Sequence, residues 1–205
     1  MIAYKFLRAG RIGAFSNFAW PDPGIWVRTG AATDPCSRGI HACRPCDLPW
    51  WLADELWEVE LGGTPQIHEH KIVARAGALR SQIHGWTAGC AQEYGEACAW
   101  RARDVACDAL SRAGHRRAAA GLAQCTTLDD VLVTARRLAN DLPDSRISLT
   151  ITGDGAFRAL SGAPPTAAYI AAHAALRVHG SQGYAAERAR QSSWLVSRLG
   201  LRANA

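Results

Sequence analysis

Two kinds of hydrophobic spacing share this chain, and they change over near Gly85. Before that point the apolar runs are short and broken by Gly and Pro, with six of the eight tryptophans at or before Trp86 and six of the nine prolines at or before Pro65. Punctuation of that density suits strands and turns and leaves no stretch for a long helix. Beyond Thr87 alanine dominates, and apolar residues recur at every third and fourth position, the repeat of a helix with one buried face. The predicted class is therefore α+β: a β-rich N-terminal half over 1–85 with one short helix, then a mostly α-helical half over 86–205. No Pro/Ser-rich linker divides them, so the sequence leaves open whether they are separate domains.

In the first half, residues 3–7 and 25–27 read as strands around a turn at Trp20-Pro21-Asp22-Pro23-Gly24. Leu56-Trp57-Glu58-Val59-Glu60-Leu61 alternates apolar and acidic residues, a strand with one face buried, and another strand is expected at residues 70–74. Between them residues 47–55 suit one short helix, capped by Asp47 with Pro49 in its first turn. In the second half Tyr94, Cys98, Ala102, Val105 and Ala109 form one stripe of a long helix. A second helix opens at Thr126-Thr127, carries Leu128, Val131, Leu132, Ala135 and Leu138, and stops near Pro143. Arg146 to Ile151 alternates like a strand and Gly153-Asp154-Gly155 turns it, giving a short strand or hairpin near 146–160. Pro164-Pro165 opens a helix through Val178, and Gln182 to Leu199 forms the last one.

Composition narrows the setting. The net charge of +5 is almost wholly arginine, since Lys5 and Lys71 are the two lysines, and solvated helix faces account for such an excess. The basic stretch from Arg112 to Arg117 lacks interleaved aromatics, so a nucleic-acid partner is not expected. No run approaches the roughly 18 apolar residues of a spanning helix, and the first residues lack the pattern of a secretory signal. A cytoplasmic chain without a membrane partner is the expectation.

Reactive side chains gather at Cys36-Ser-Arg-Gly-Ile-His41-Ala-Cys43-Arg-Pro-Cys46. Three readings stay open. Cys36, His41, Cys43 and Cys46 are soft ligands of the kind tetrahedral zinc takes, although their spacing lacks the usual two pairs around a structured spacer. Cys43 can instead be a nucleophile, with His41 on the same strand face and Arg44 beside it to favour the thiolate. The seven cysteines can also be buried small hydrophobes, as their odd number excludes a complete disulfide set. His68 and His70 would share one face of a strand, with Lys71 on the other. Trp26 and Trp57 are flat surfaces for a ligand or simply core, as are Trp20, Trp50 and Trp51. His173 shares a helix face with Tyr169 and Leu176, the setting of a core histidine.

Gly39-Ile40-His41-Ala42-Cys43, the short helix and strand that follow, and the later step His70-Lys71 make residues 1–83 resemble an uncharacterised domain family of actinobacterial and phage proteins. Cys46 departs from that family's usual pattern, and the family names no activity. More distantly, residues 40–61 are similar to the central part of small NAD-dependent ADP-ribosyltransferases, though no catalytic residue carries over. The resulting expectation is a small-molecule-binding protein, an enzyme of group-transfer type acting on a small anionic or nucleotide-like substrate. His41 and Cys43 are its catalytic candidates, and His70, Arg44, Trp26 and Trp57 its substrate-binding ones; no cofactor is implied. The alternative is a non-catalytic immunity or regulatory protein that meets a protein partner through its helical half.

Overall fold

The computed structural model describes residues 1–30 and 38–202. The class is α+β, with the strands in the first part of the chain and five α-helices following among the described residues: α1 (Ala88–Arg112), α2 (Arg116–Ala123), α3 (Leu128–Asp141), α4 (Arg146–Leu160) and α5 (Pro164–Leu199). The chain forms two compact units, Met1–Ala88 together with everything from Ser192 on, and Gly89–Gln191. The end of α5 thus belongs with the strands.

In the first unit β1 (Ile2–Leu7), β4 (Glu55–Gly62), β7 (Ala76–Gln82) and β2 (Val27–Arg28) form an antiparallel sheet in the order β1-β4-β7-β2. The alternation of β4 buries Trp57, Val59 and Leu61 with Ala3, Leu7 and Leu79, while Glu58 and Glu60 stay half-exposed. A second sheet runs β3 (Ile40–Ala42), β6 (Ile72–Ala74), β5 (Gln66–Ile67). Arg75 alone separates β6 from β7, so one stretch of chain serves both sheets. The sheets meet closely at Gly77, where a Cβ would lie 2.9 Å from Ile40 Cγ2. Gly39 enters β3 with φ of +130°, a backbone conformation that side chains disfavour, which gives the glycine of the Gly-Ile-His-Ala-Cys stretch its place. The end of β3 is fastened to β1 by a two-way bond, Tyr4 N to Cys43 O at 2.9 Å and Cys43 N to Tyr4 O at 2.7 Å.

The expected short helix is a 3-10 helix over Pro45–Trp50. It starts earlier than Asp47, with Arg44 as its cap residue and Asp47 at the third position bonding back to it. Pro49 explains the form: it lacks the N–H that would reach the Pro45 carbonyl in an α-helix, while Pro45 sits at the first position, where no donor is needed. The C-terminal stretch closes the unit. Ser192 Oγ donates to Cys46 O at 2.7 Å, Arg202 N donates to Tyr4 Oη at 3.2 Å, and Leu195 is fully buried.

The second unit is helical throughout. Thr127 caps α3 as expected, its Oγ1 accepting from Asp130 N while Asp130 Oδ2 accepts from Thr127 N. Leu128, Val131, Ala135 and Leu138 are buried, with Leu132 half-buried beside them. In α1 the buried stripe passes from Tyr94, Cys98 and Ala102 to Ala106 and Leu110 rather than Val105 and Ala109, because a 3.6-residue turn drifts along the helix. The basic stretch after Arg112 continues into α2, an element the sequence pattern did not announce. The helices expected either side of Val178 form α5, broken at Gly180 with φ of +66°.

The strand expected at 146–151 is overturned: this stretch is the start of α4. Leu149, Thr152, Gly153, Ala156 and Ala159 make a buried face at helical spacing. Gly153 and Gly155 are packing positions rather than a turn, Gly153 facing Ala135 and Leu132, and Gly155 facing Ile170 at 3.3 Å from its Cβ position. No helix among the described residues is long and apolar enough to cross a membrane.

Candidate functional site

Strand alternation puts Ala3, Lys5 and Leu7 on one side of β1, and Ala3 and Leu7 are buried in the sheet core. Lys5 therefore extends from an apolar face. Its Nζ donates to His41 O at 2.5 Å and lies 5.5 Å from the Trp20 ring centroid. Burial lowers the amine from 10.5 to about 8, against an opposing pull from the nearby Cys43 sulfur.

Two adjoining cavities open around this amine. One, of about 100 Å³, is lined by Lys5, Ser16, His41, Cys43, Trp51 and Lys71, with Phe15 standing edge-on to Trp51 at its mouth. The other, of about 760 Å³, shares Lys5, Phe15, Ser16 and His41 and adds Trp20, Phe18, Arg28 and Arg38. Both lysines of the chain line the first cavity. No Asp or Glu is found among the described residues lining either one, although the chain has 18 of them. The walls are thus cationic and aromatic, complementary to a flat anion.

No family model, curated protein or solved structure matches this chain.

His41 and Cys43 do come together at the cavity, and Ile40 and Ala42 turn into the core, as alternation along β3 requires. The expected thiolate does not survive the structure. Cys43 is 1% exposed, and desolvation, followed by the field of Asp47, pushes its thiol far up, outweighing Lys5 and Arg44. Arg44 is engaged elsewhere: Nε and Nη2 grip Asp47 at 2.6 and 3.1 Å, and Nη2 also donates to Glu69 O at 2.7 Å.

The other expected binding residues line neither cavity, although His70 borders a neighbouring recess with Trp51 and Lys71, and its carbonyl accepts from Trp51 Nε1 at 2.6 Å. His70 stacks on Trp50 at 3.9 Å between centroids, and His68-Glu69-His70-Lys71 is the turn between β5 and β6, not a strand with two aligned imidazoles. Trp57 is buried in the sheet core with Nε1 on Glu55. Trp26 lies across Gly62, its ring 2.7 Å from that residue's Cβ position. Of the four zinc candidates Cys36 lies outside the described residues, and among the described residues no three His, Cys, Asp or Glu side chains converge as metal ligands.

Lys5 is the cavity residue that motifs do not reveal, and its signal in the sequence is a charged residue on the Ala3 and Leu7 side of an apolar strand. The second unit holds another unannounced cluster, in which Glu187 accepts from Arg101 Nε at 2.9 Å and from Gln191 Nε2 at 2.9 Å, while Gln191 Oε1 accepts from Arg188 at 3.0 Å. Glu187, Arg188 and Gln191 are all buried. They bond chiefly to one another, the pattern of a structural network.

Proposed function

We propose that this chain binds a small anionic, nucleotide-like ligand in the paired cavities around Lys5 and His41, and acts on it as an enzyme of group-transfer type. The lining carries the reading: Lys5, Lys71, Arg28 and Arg38 with no carboxylate among the described residues, beside Trp20, Trp51 and Phe15. A cationic lining attracts an anion, and aromatic walls accept a planar group. His41, which lines both cavities, provides a titratable group for the chemistry.

Calorimetric titration of the full chain with AMP and with adenosine tests this. AMP should bind at least about tenfold more tightly, roughly the worth of one charge-assisted contact, and added salt should narrow the gap. Lys71→Ala and Arg38→Ala should each weaken AMP. Equal affinity for AMP and adenosine, or no binding of either, would remove the reading.

A second reading is a non-catalytic immunity or regulatory protein whose helical unit meets a partner. It is favoured by the exposed apolar side chains Phe157 and Leu160, one turn apart on α4, and Tyr169 and Leu176 on α5. Under that reading small anions leave the melting temperature unchanged.

A further inference from the structure

A lysine that emerges from an apolar strand face ordinarily runs its stem along the surface and puts the ammonium in water. Lys5 instead ends against the His41 carbonyl and the Trp20 ring, at the junction of two cavities. No carboxylate among the described residues forms an ion pair with it. The His41 carbonyl, the Trp20 ring and the Cys43 sulfur favour its charged form, but desolvation outweighs them and the amine is lowered to about 8. An amine so placed is a nucleophile, as desolvated lysines are.

We infer that Lys5 is a covalent site for an anionic aldehyde or ketone, its Nζ condensing with the carbonyl carbon to an imine. This rests on the anion-binding reading above and names the substrate class within it. The nitrogen lone pair forms the N–C bond while the carbonyl π pair moves to oxygen. The two amine hydrogens then leave with that oxygen as one water, the C=N bond forms, and no oxidant or reductant takes part. His41 is the titratable wall group able to carry a proton from nitrogen to the departing oxygen. Lys71, Arg28 and Arg38 provide charge for the anionic end of the ligand, and Phe15 and Trp51, in edge contact at 6.0 Å, give it an aromatic wall. With its amine brought to about 8, roughly a tenth of Lys5 is free base at pH 7, against less than about a thousandth for an ordinary lysine.

Glyoxylate, a small anionic aldehyde, with cyanoborohydride to fix any imine, is the probe for the full-length protein. Peptide mass spectrometry reads carboxymethylation at Lys5 and at Lys71. At pH 7.5 Lys5 should be labelled roughly tenfold faster or more, the ratio should fall as pH rises towards 10, and inorganic phosphate should slow Lys5 but not the α-amine at Met1. Lys5→Arg should lose this label with its circular dichroism unchanged. A Lys5 to Lys71 ratio at or below one in the wild-type protein overturns the inference, as does labelling of Lys5 indifferent to phosphate. AMP, which has no carbonyl to condense, separates the two readings: wild-type protein that binds AMP but fails to trap glyoxylate at Lys5 removes the imine site alone. Protein that neither binds AMP nor traps glyoxylate removes both.

Discussion

Lys5 shows how one residue can oppose the pattern it sits in. Its neighbours on that side of β1 are core, so the fold bears the cost of an amine kept from water, and that cost depends on pH. Between its folded value of about 8 and the ordinary 10.5 the amine holds fewer protons folded than unfolded. Native stability therefore rises with pH across that window, and below it the full penalty is present. Lys5→Met removes the penalty. The variant should gain stability relative to wild type at pH 7, and that relative gain should shrink by pH 10; urea unfolding at the two pH values reads it. A difference between the two proteins that is the same at both would show an ordinary lysine. Cys43 teaches the complementary lesson: alternation told correctly that it shares a face with His41, but not that Tyr4 would pair over its backbone and bury the thiol. Period two says which side a residue takes, and only tertiary pairing says what covers that side.

Elements form where the sequence pattern expects them when local chemistry and long periodicity agree. Thr127 with Asp130 starts α3, and the acid-apolar alternation of β4 sets its core face. Residues 146–151 alternate over only six positions, whereas the buried face of α4 runs over fifteen and includes two glycines used for contact. The two geometries make opposite demands on Ile147, which is 54% exposed, and Leu149, which is fully buried. A strand would bury both equally. Leu149→Ala should cost about 2–5 kcal/mol, whereas Ile147→Ala should stay within about 0.5 kcal/mol. Equal losses from the two substitutions in chemical denaturation would contradict the helix.

For the molecule as a whole, composition separated a β-rich part from a helical one, and the structural boundary at Ala88 lies close to it. What composition could not carry is the return of the chain: the residues from Ser192 on are as helical in pattern as those before them, yet they complete the first unit. The reason lies in partners supplied by distant sequence. Ser192 reaches the Cys46 carbonyl, Leu195 is fully buried, Leu199 Cδ2 comes to 3.3 Å from the Gly85 Cβ position, and the Arg202 backbone donates to the Tyr4 hydroxyl. Tyr4 is the residue whose backbone holds Cys43, so these contacts end at the strand pair that builds the cavity. A chain stopped after Gln191 should lose them all at once, exposing the surface that Leu195 and Leu201 cover and leaving Tyr4 without its donor. Seven of the eight tryptophans belong to the first unit, Trp100 being the exception, so near-ultraviolet circular dichroism reports on it selectively. The truncated chain should lose most of that signal, together with any AMP binding, while far-ultraviolet helicity from α1 to α4 largely persists. Retention of the full near-ultraviolet spectrum and of an unchanged melting temperature would mean that residues 1–88 fold without their C-terminal cover.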